Sequence, residues 1–322
     1  MDQAEPCLEA DEQAAIRRAA RALVRSANRQ GLWEAFQLRP GGSSIWTSAV
    51  VLHALGAVFR ACPDLLTVPL LQRSWGRAWS CFDCLDQSAV GFNRLTPADA
   101  DSTIWLRRAL TQRQWLAMPK SVAMEQWIRC LDVYIDAHSL GVGVCTYLHD
   151  DGILDFVGLP SQSSSSWLLP HGCVGLNRVA LLAELGVYSA AQALDAVAST
   201  PLPFWWQEPQ IGAWLIASAT GFRDCGVSMG RLLVSLFDDS VTVGSPSAVV
   251  RVLLRTQLSS GLWPALFTLR VPGHSDRTGA ASSYRDSLDT EGALCRDNGI
   301  FTTALVLAAL AVNVRQRQAL CV

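Results

Sequence analysis

Gly31-Leu32-Trp33, and after it Ser44-Ile45-Trp46-Thr47-Ser48-Ala49-Val50-Val51-Leu52-His53-Ala54-Leu55-Gly56-Ala57, is the stretch on which the fold turns. Ahead of it, residues 8–29 carry apolar positions at the three- and four-residue spacing of a helix buried along one side. The glycine beside an aromatic residue then breaks that helix. The segment from Ser44 to Ala57 opens on small hydroxyl residues and is apolar on every side. It predicts a helix surrounded by protein. An amphipathic helix, a turn and an apolar helix make a hairpin whose second member needs neighbours to cover it.

The unit recurs along the chain. A second one has a helix near 66–87, a Gly91-Phe92 turn and an apolar helix opening at Asp99-Ala100-Asp101-Ser102-Thr103. A third runs through a helix at 121–137, an Asp151-Gly152 turn and an opening at His171-Gly172-Cys173. The fourth is compact: 189–199, Trp205-Trp206, then Pro209-Gln210-Ile211-Gly212-Ala213-Trp214. Residues 227–238 predict a further helix with no evident partner. The last unit has a helix at 246–257, the turn Gly261-Leu262-Trp263 and a helix from Asn298 through Phe301-Thr302-Thr303. Strand signals are nearly absent.

This period belongs to a helical repeat array. Apolar helices alternating with amphipathic ones predict an inner ring sheathed by an outer ring: an all-α fold, an (α/α) toroid of about five to six hairpins forming a single domain over residues 1–322. An open array would need polar end caps and long charged faces. Only 17% of residues are charged and the final helix is apolar, which favours closure. Ser161–Trp167 and Leu269–Asp297 are long connections leading into inner helices, and residues 269–297 are expected to form a rim loop or lid.

Composition excludes several classes. Half of the residues are hydrophobic, so a large core is expected rather than disorder. A formal charge of -2 gives no reason to invoke nucleic acid. Lys120 is the sole lysine and stands in a Pro-Lys-Ser context, which leaves Schiff-base chemistry one poor candidate. Ile45–Phe59 and Ile300–Val314 are shorter than the roughly 18–20 residues of a membrane span, and the acidic N-terminus lacks the apolar run of a signal peptide. A cytoplasmic protein, not transmembrane though able to work at a membrane periphery, is the expectation. Ten cysteines then imply free thiols. Cys81 and Cys84 form the one C-x-x-C pair and read as small packing residues.

Four segments resemble known families, in whole or in part. Gln257-Leu258-Ser259-Ser260-Gly261-Leu262-Trp263 is similar to the Q-x3-G-x-W repeat of squalene–hopene cyclases. Gly31-Leu32-Trp33 keeps the second half of that repeat, with Ala27 at the glutamine position. Asp99-Ala100-Asp101-Ser102-Thr103 resembles the D-x-D-D-T-A motif of class II terpene cyclases, with Ser102 for the last aspartate and Ile104 for the alanine. His171-Gly172-Cys173 resembles the Asp-Gly-Cys of protein prenyltransferase β-subunits, which share the toroid. Phe301 stands where their zinc-binding histidine is expected, so no metal site is implied.

The resemblance implies a proton-initiated cyclase or isomerase acting on a prenyl chain, with a small hydrophobic isoprenoid as its partner. Asp101 matches the motif's middle aspartate and is the expected general acid. Asp99 would raise its pKa or orient it, because two adjacent carboxylates resist joint ionisation. His171 would take the proton back or restore the acid. Trp46, Trp105, Trp205, Trp206 and Trp214 fall near inner-helix starts, where their faces would bind substrate and stabilise a carbocation. Glu208, Asp297 and Phe301 join them at the same rim. No cofactor is expected; magnesium would enter only with a diphosphate substrate, which Arg107 and Arg108 could face.

Plainer readings stay open beside these. Asp99 can be an N-cap and Asp101 a first-turn carboxylate, and His171, Glu208 and Asp297 can be helix-start residues. Tryptophans at a repeated turn can be packing units. The chain could be a binding or scaffold toroid without chemistry. His171-Gly172-x-x-Gly175 also matches an element of LanC-like peptide cyclases, whose cysteine motifs are missing here. A homo-oligomer or a partner subunit is left open.

Overall fold

A computed structural model of the chain describes residues 5–38, 41–65, 68–82, 88–113, 122–140, 143–148, 153, 168, 172–189, 192, 246–265, 267–271 and 293–320. The helices are α1 (Glu5–Ser26), α2 (Ser44–Ala61), α3 (Val68–Phe82), α4 (Ala100–Thr111), α5 (Val122–Ala137), α6 (Gly172–Glu184), α7 (Pro246–Thr256) and α8 (Ile300–Leu320). The fold is all-α, as the repeat predicts, with helix boundaries displaced by a few residues. The predicted fourth unit and the helix at 227–238 lie outside the described residues.

Inner and outer roles follow from burial. In α2 every residue from Ile45 to Val58 is buried, and α8 is buried from Ile300 to Ala311. α1 instead buries Ala15, Ile16, Ala19, Ala20 and Leu23, one stripe at helical spacing, and leaves its other side in solvent. In space the inner helices follow the order α8, α2, α4, α6, while α1, α3 and α5 pack outside α8, α2 and α4 respectively. The last helix of the chain therefore lies beside the first hairpin, as a ring requires and an open solenoid does not.

α2 is 18 residues long and apolar enough to cross a membrane by length and composition, longer than the run read from the sequence. That window is 83% buried within the protein, which is the setting of a core helix.

A recurring bond holds α2, α4 and α8 to the next unit. Phe92 O accepts from Ile45 N and Trp46 N at the start of α2, Thr146 O accepts from Ala100 N at the start of α4, and Ala35 O accepts from Asn298 N just before α8. The third of these runs from the end of the chain to its beginning.

The glycine–tryptophan turns are built alike. Trp33 Nε1 donates to Leu23 O at 2.6 Å and Trp263 Nε1 to Leu253 O at 2.8 Å. The backbone N–H groups of the same tryptophans donate to Ser48 Oγ and Thr303 Oγ1 on the inner helices, and Val90 N donates likewise to Thr103 Oγ1. Gly31 and Gly261 have φ of 82° and 90°. A Cβ on Gly31 would stand 2.5 Å from Arg77 Cβ of α3, and one on Gly261 2.8 Å from Arg18 O of α1. Only glycine satisfies both the turn and the close approach of the next outer helix. Both tryptophans are fully buried, so these two are packing units of the repeat.

Three antiparallel ribbons occur where the sequence shows no strand signal. β1 (Gln37–Leu38) pairs with β2 (Gly41–Gly42), β3 (Ser139–Leu140) with β4 (Gly143–Val144), and β5 (Phe267–Val271) with β6 (Ala293–Arg296). In the last ribbon Val271 faces Ala293 and Phe267 faces Arg296, with a register shift between Phe267 and Leu269. The ends of the expected 269–297 loop are thus a paired ribbon, and its middle lies outside the described residues. Strands of two to five residues are too short to write a clear alternating pattern into a sequence.

Candidate active site

Side-chain partners show that the inner helices run parallel. Asp101 meets Asn177 and Arg108 meets Glu184, each pair advancing seven residues along both α4 and α6. On α2, His53 lies seven residues beyond Trp46 and meets Glu184 and the Trp105 ring. The beginnings of α8, α2 and α4 consequently share one end of the ring. Trp46 stacks at 4.7 Å on Phe301, 5.5 Å from Phe36 and 5.8 Å from Phe92.

Asp99 is the N-cap of α4, with extended backbone. Its Oδ1 accepts from Ser102 N at 2.7 Å and its Oδ2 from Ser102 Oγ at 2.7 Å. Ser102, the departure from the aspartate-rich motif, therefore anchors both oxygens of its neighbour. Asp99 is only 3% exposed. Burial pushes its carboxyl up to about 7, the Ser102 bonds hold it down, and the charge of Asp101 raises it again.

Asp101, in the first turn of α4, keeps part of its surface accessible although deep in the protein. Its Oδ1 accepts from Asn177 Nδ2 at 2.7 Å. Desolvation pushes it up to about 6 against the pull of Asn177, Trp46 and Arg108. The Trp46 side chain is thus one of the groups that favour the Asp101 anion. Two carboxyls at one helix start thus stay partly protonated near neutrality, against the helix dipole that would ionise them. Desolvation is the larger effect here. Capping and acidity coexist at Asp99, so the cap reading does not displace the acid reading.

Of the residues singled out in the sequence, Asp99, Asp101, Trp46 and Phe301 come together at this end. Asp297 lies at the start of α8, accepting from Thr302 N at 2.6 Å, and is 4% exposed. Trp105 is buried one turn further in, beneath the Arg108 guanidinium at 4.2 Å. His171, Trp205, Trp206, Glu208 and Trp214 lie outside the described residues. Neither arginine stands free for a diphosphate: Arg107 pairs with Asp132 of α5 at 2.8 Å, and Arg108 is fully buried against Glu184. Among the described residues no group of three His, Cys, Asp or Glu side chains could hold a metal ion.

Residues the sequence reading missed, joined by Arg108 in another role than the one read for it, complete the site. Tyr147 is buried beside the acids, and desolvation together with the charges of Asp99, Tyr134 and Asp101 keeps its phenol neutral. His53, Arg108, Asn177 and Glu184 form a polar cluster behind Asp101. Burial lowers the His53 pKa, so its ring is neutral. Arg108 and His53 hold Glu184 down to about 2 despite its burial.

No family model matches the chain, and no curated protein matches its sequence. Solved structures do. A protein from Actinoplanes superposes with a TM-score of 0.65 at 21% identity, covering 94% of this chain and 99% of that one. An Arg-to-Ala variant of the type II terpene cyclase MstE from Scytonema, in complex with its substrate geranylgeranyl dihydroxybenzoate, gives 0.62 at 18%, over 96% and 99% of the two chains. An Asp-to-Ala variant of MstE in complex with its product merosterolic acid A gives 0.62 at 18%, over 97% and 99%. At such identities the likeness speaks for architecture, and this chain has a terpene-cyclase-like, helical-toroid fold.

Proposed function

We propose that the protein is a class II terpene-cyclase-like enzyme that cyclises or isomerises a prenyl chain by protonating it from Asp101. The observation that carries this reading is the pair of desolvated carboxyls at one helix start, with pKa values raised to about 7 and about 6, beside the Phe36–Trp46–Phe92–Phe301 aromatic group. The binding of an isoprenoid arene by MstE supports the same substrate class.

On this reading Asp101 delivers its proton to a terminal alkene carbon, leaving a carboxylate and a tertiary carbocation. Asn177, the Trp46 N–H and the Arg108 charge all favour the Asp101 anion, which makes the acid strong enough to give its proton away. Asp99, held by Ser102, resists joint ionisation and keeps the pair from losing its last proton. Aromatic faces then stabilise the migrating charge by about 0.5–2 kcal/mol each and exclude water. Loss of a proton from the final cation returns the count to zero, so product and substrate are isomers. His171 remains our candidate for the base. No cofactor enters this sequence; magnesium would come only with a diphosphate.

The test is incubation with geranylgeranyl dihydroxybenzoate and with plain linear prenyl substrates, read by mass spectrometry for products of unchanged mass and shifted retention. Asp101→Asn should lower turnover by about a thousandfold or more. Full turnover in that variant would remove the acid, and a wild type that binds these compounds but returns them unchanged would favour a binding toroid.

A further inference from the structure

We infer that Asn177, Arg108, Glu184 and His53 form a buried positioning chain that fixes which oxygen of Asp101 carries the acidic hydrogen. The inference rests on Asp101 being the proton donor proposed above.

Asn177 Nδ2 donates to Asp101 Oδ1 at 2.7 Å, and on its other side Arg108 Nη1 reaches Asn177 Oδ1 at 3.4 Å. A guanidinium can only donate. The amide oxygen must therefore face Arg108, and the amide nitrogen must face Asp101. A flipped amide would set N–H against N–H at the arginine. Asp101 Oδ1 is thereby committed as an acceptor, and the hydrogen of the neutral acid belongs on Oδ2.

Arg108 cannot turn to release this arrangement. Its Nε and Nη2 donate to Glu184 Oε1 at 3.1 and 2.7 Å, and its guanidinium lies 4.2 Å over the Trp105 ring. His53 Nε2 meets the same Oε1 at 2.8 Å; being neutral, the ring must carry its hydrogen on Nε2 to make that bond. The four side chains come from α2, α4 and α6, so the chain belongs to the inner ring rather than to one helix.

The charged, titratable and hydrogen-bonding groups around Asp101 and its chain are few enough to predict signs. Asp99 and Arg108 share α4 with it; Asn177 and Glu184 come from α6, Trp46, His53 and Arg60 from α2, Tyr134 from α5 and Tyr147 from the segment after β4. Removing the Asn177 donor takes away a bond to the anion, which makes Asp101 a weaker acid. Neutralising Glu184 does the opposite, because the Arg108 charge then acts on Asp101 uncompensated.

The experiment is infrared spectroscopy of the purified full-length chain against pH, with the Asp101 carboxyl stretch identified as the band missing from Asp101→Asn. In Asn177→Leu its titration midpoint should rise by about one pH unit, and in Glu184→Gln it should fall by a similar amount. His53→Gln, which keeps a side-chain N–H for Glu184, should keep the midpoint near that of wild type. With geranylgeranyl dihydroxybenzoate as probe, both altered variants should lose about tenfold or more in kcat with KM within about threefold. Opposite shifts support the chain, whereas packing damage alone would move both variants the same way. Coincident midpoints in wild type, Asn177→Leu and Glu184→Gln would overturn it. Should Asn177→Leu not fold, Asn177→Ser and Glu184→Gln carry the same comparison. The infrared arm needs no substrate, so a wild type without turnover would count against the cyclase reading while leaving the chain to be judged on its own.

Discussion

Asp101 and Asp99 are held where the protein would be more stable without their charges. Each carboxyl has a pKa raised by burial, so the native state keeps protons that an unfolded chain has released. Stability should therefore fall as pH rises from the ordinary carboxylate range, near 4, through about 6 to 7. Asp101→Asn should gain up to about 3 kcal/mol at pH 8, where wild type bears the full cost, and almost nothing at pH 4. Chemical denaturation at the two pH values reads the difference. An equal gain at both would mean that the carboxyl is not desolvated. Glu184 works in the opposite sense. Its pKa of about 2 lies below the usual carboxylate value, so its contribution is complete above about pH 4.5 and is lost as pH falls towards 2. Glu184→Gln should blunt the acid limb of the stability curve.

At the scale of a single element, the start of α4 shows why Ser102 stands where the related motif has an aspartate. Its hydroxyl gives Asp99 a second bond of 2.7 Å, which a carboxylate could not donate. Ser102→Ala should cost about 1 kcal/mol in thermal or urea unfolding, the worth of one buried hydrogen bond. Ser102→Asp should cost more and make Asp99 a weaker acid still, because it sets a third carboxyl against the pair. If Ser102→Asp stabilised the protein, the cap would not be what the serine is for. The elements themselves were legible from periodicity: uniform apolarity marked α2 and α8 as inner helices, and the Gly-x-Trp turns marked the joints. The polar cluster behind Asp101 left a fainter trace. Trp46, His53 and Arg60 on α2, Asp101 and Arg108 on α4, and Asn177 and Glu184 on α6 repeat every seven residues, two turns of one face. A polar residue every second turn of a buried helix must find polar partners on its neighbours. Helix order alone did not reveal that register, since it depends on which inner helices are adjacent and parallel.

Closure of the whole molecule rests on a seam between residues distant in sequence. Gln257 Nε2 donates to Ala15 O and Gly261 O, and its Oε1 accepts from Arg18 Nε and Nη2, so the repeat's glutamine ties α7 to α1 and to its own turn. In the first unit Asn28 takes over the turn, accepting from Gln30 N and Leu32 N, which explains how Ala27 is tolerated at the glutamine position. Glu12, fully buried on α1, binds Asn313 at 3.0 Å and Arg317 of α8. Burial raises its pKa, and those two partners offset part of that cost. Glu12→Ala would leave Arg317 unpaired and the Asn313 amide unsatisfied, for a loss of about 3 kcal/mol. Gln257→Ala should lose about 2 kcal/mol, since four bonds go but the exposed Arg18 recovers water. In a closed ring these losses fall on a shared interface, so the double variant should unfold in one transition at lower denaturant with an unchanged slope. A separate early transition confined to α1 or α8 would mean that the ends merely rest against each other. Denaturant unfolding followed by tryptophan fluorescence, with Trp33 and Trp263 buried on the two sides of the seam, distinguishes one transition from two.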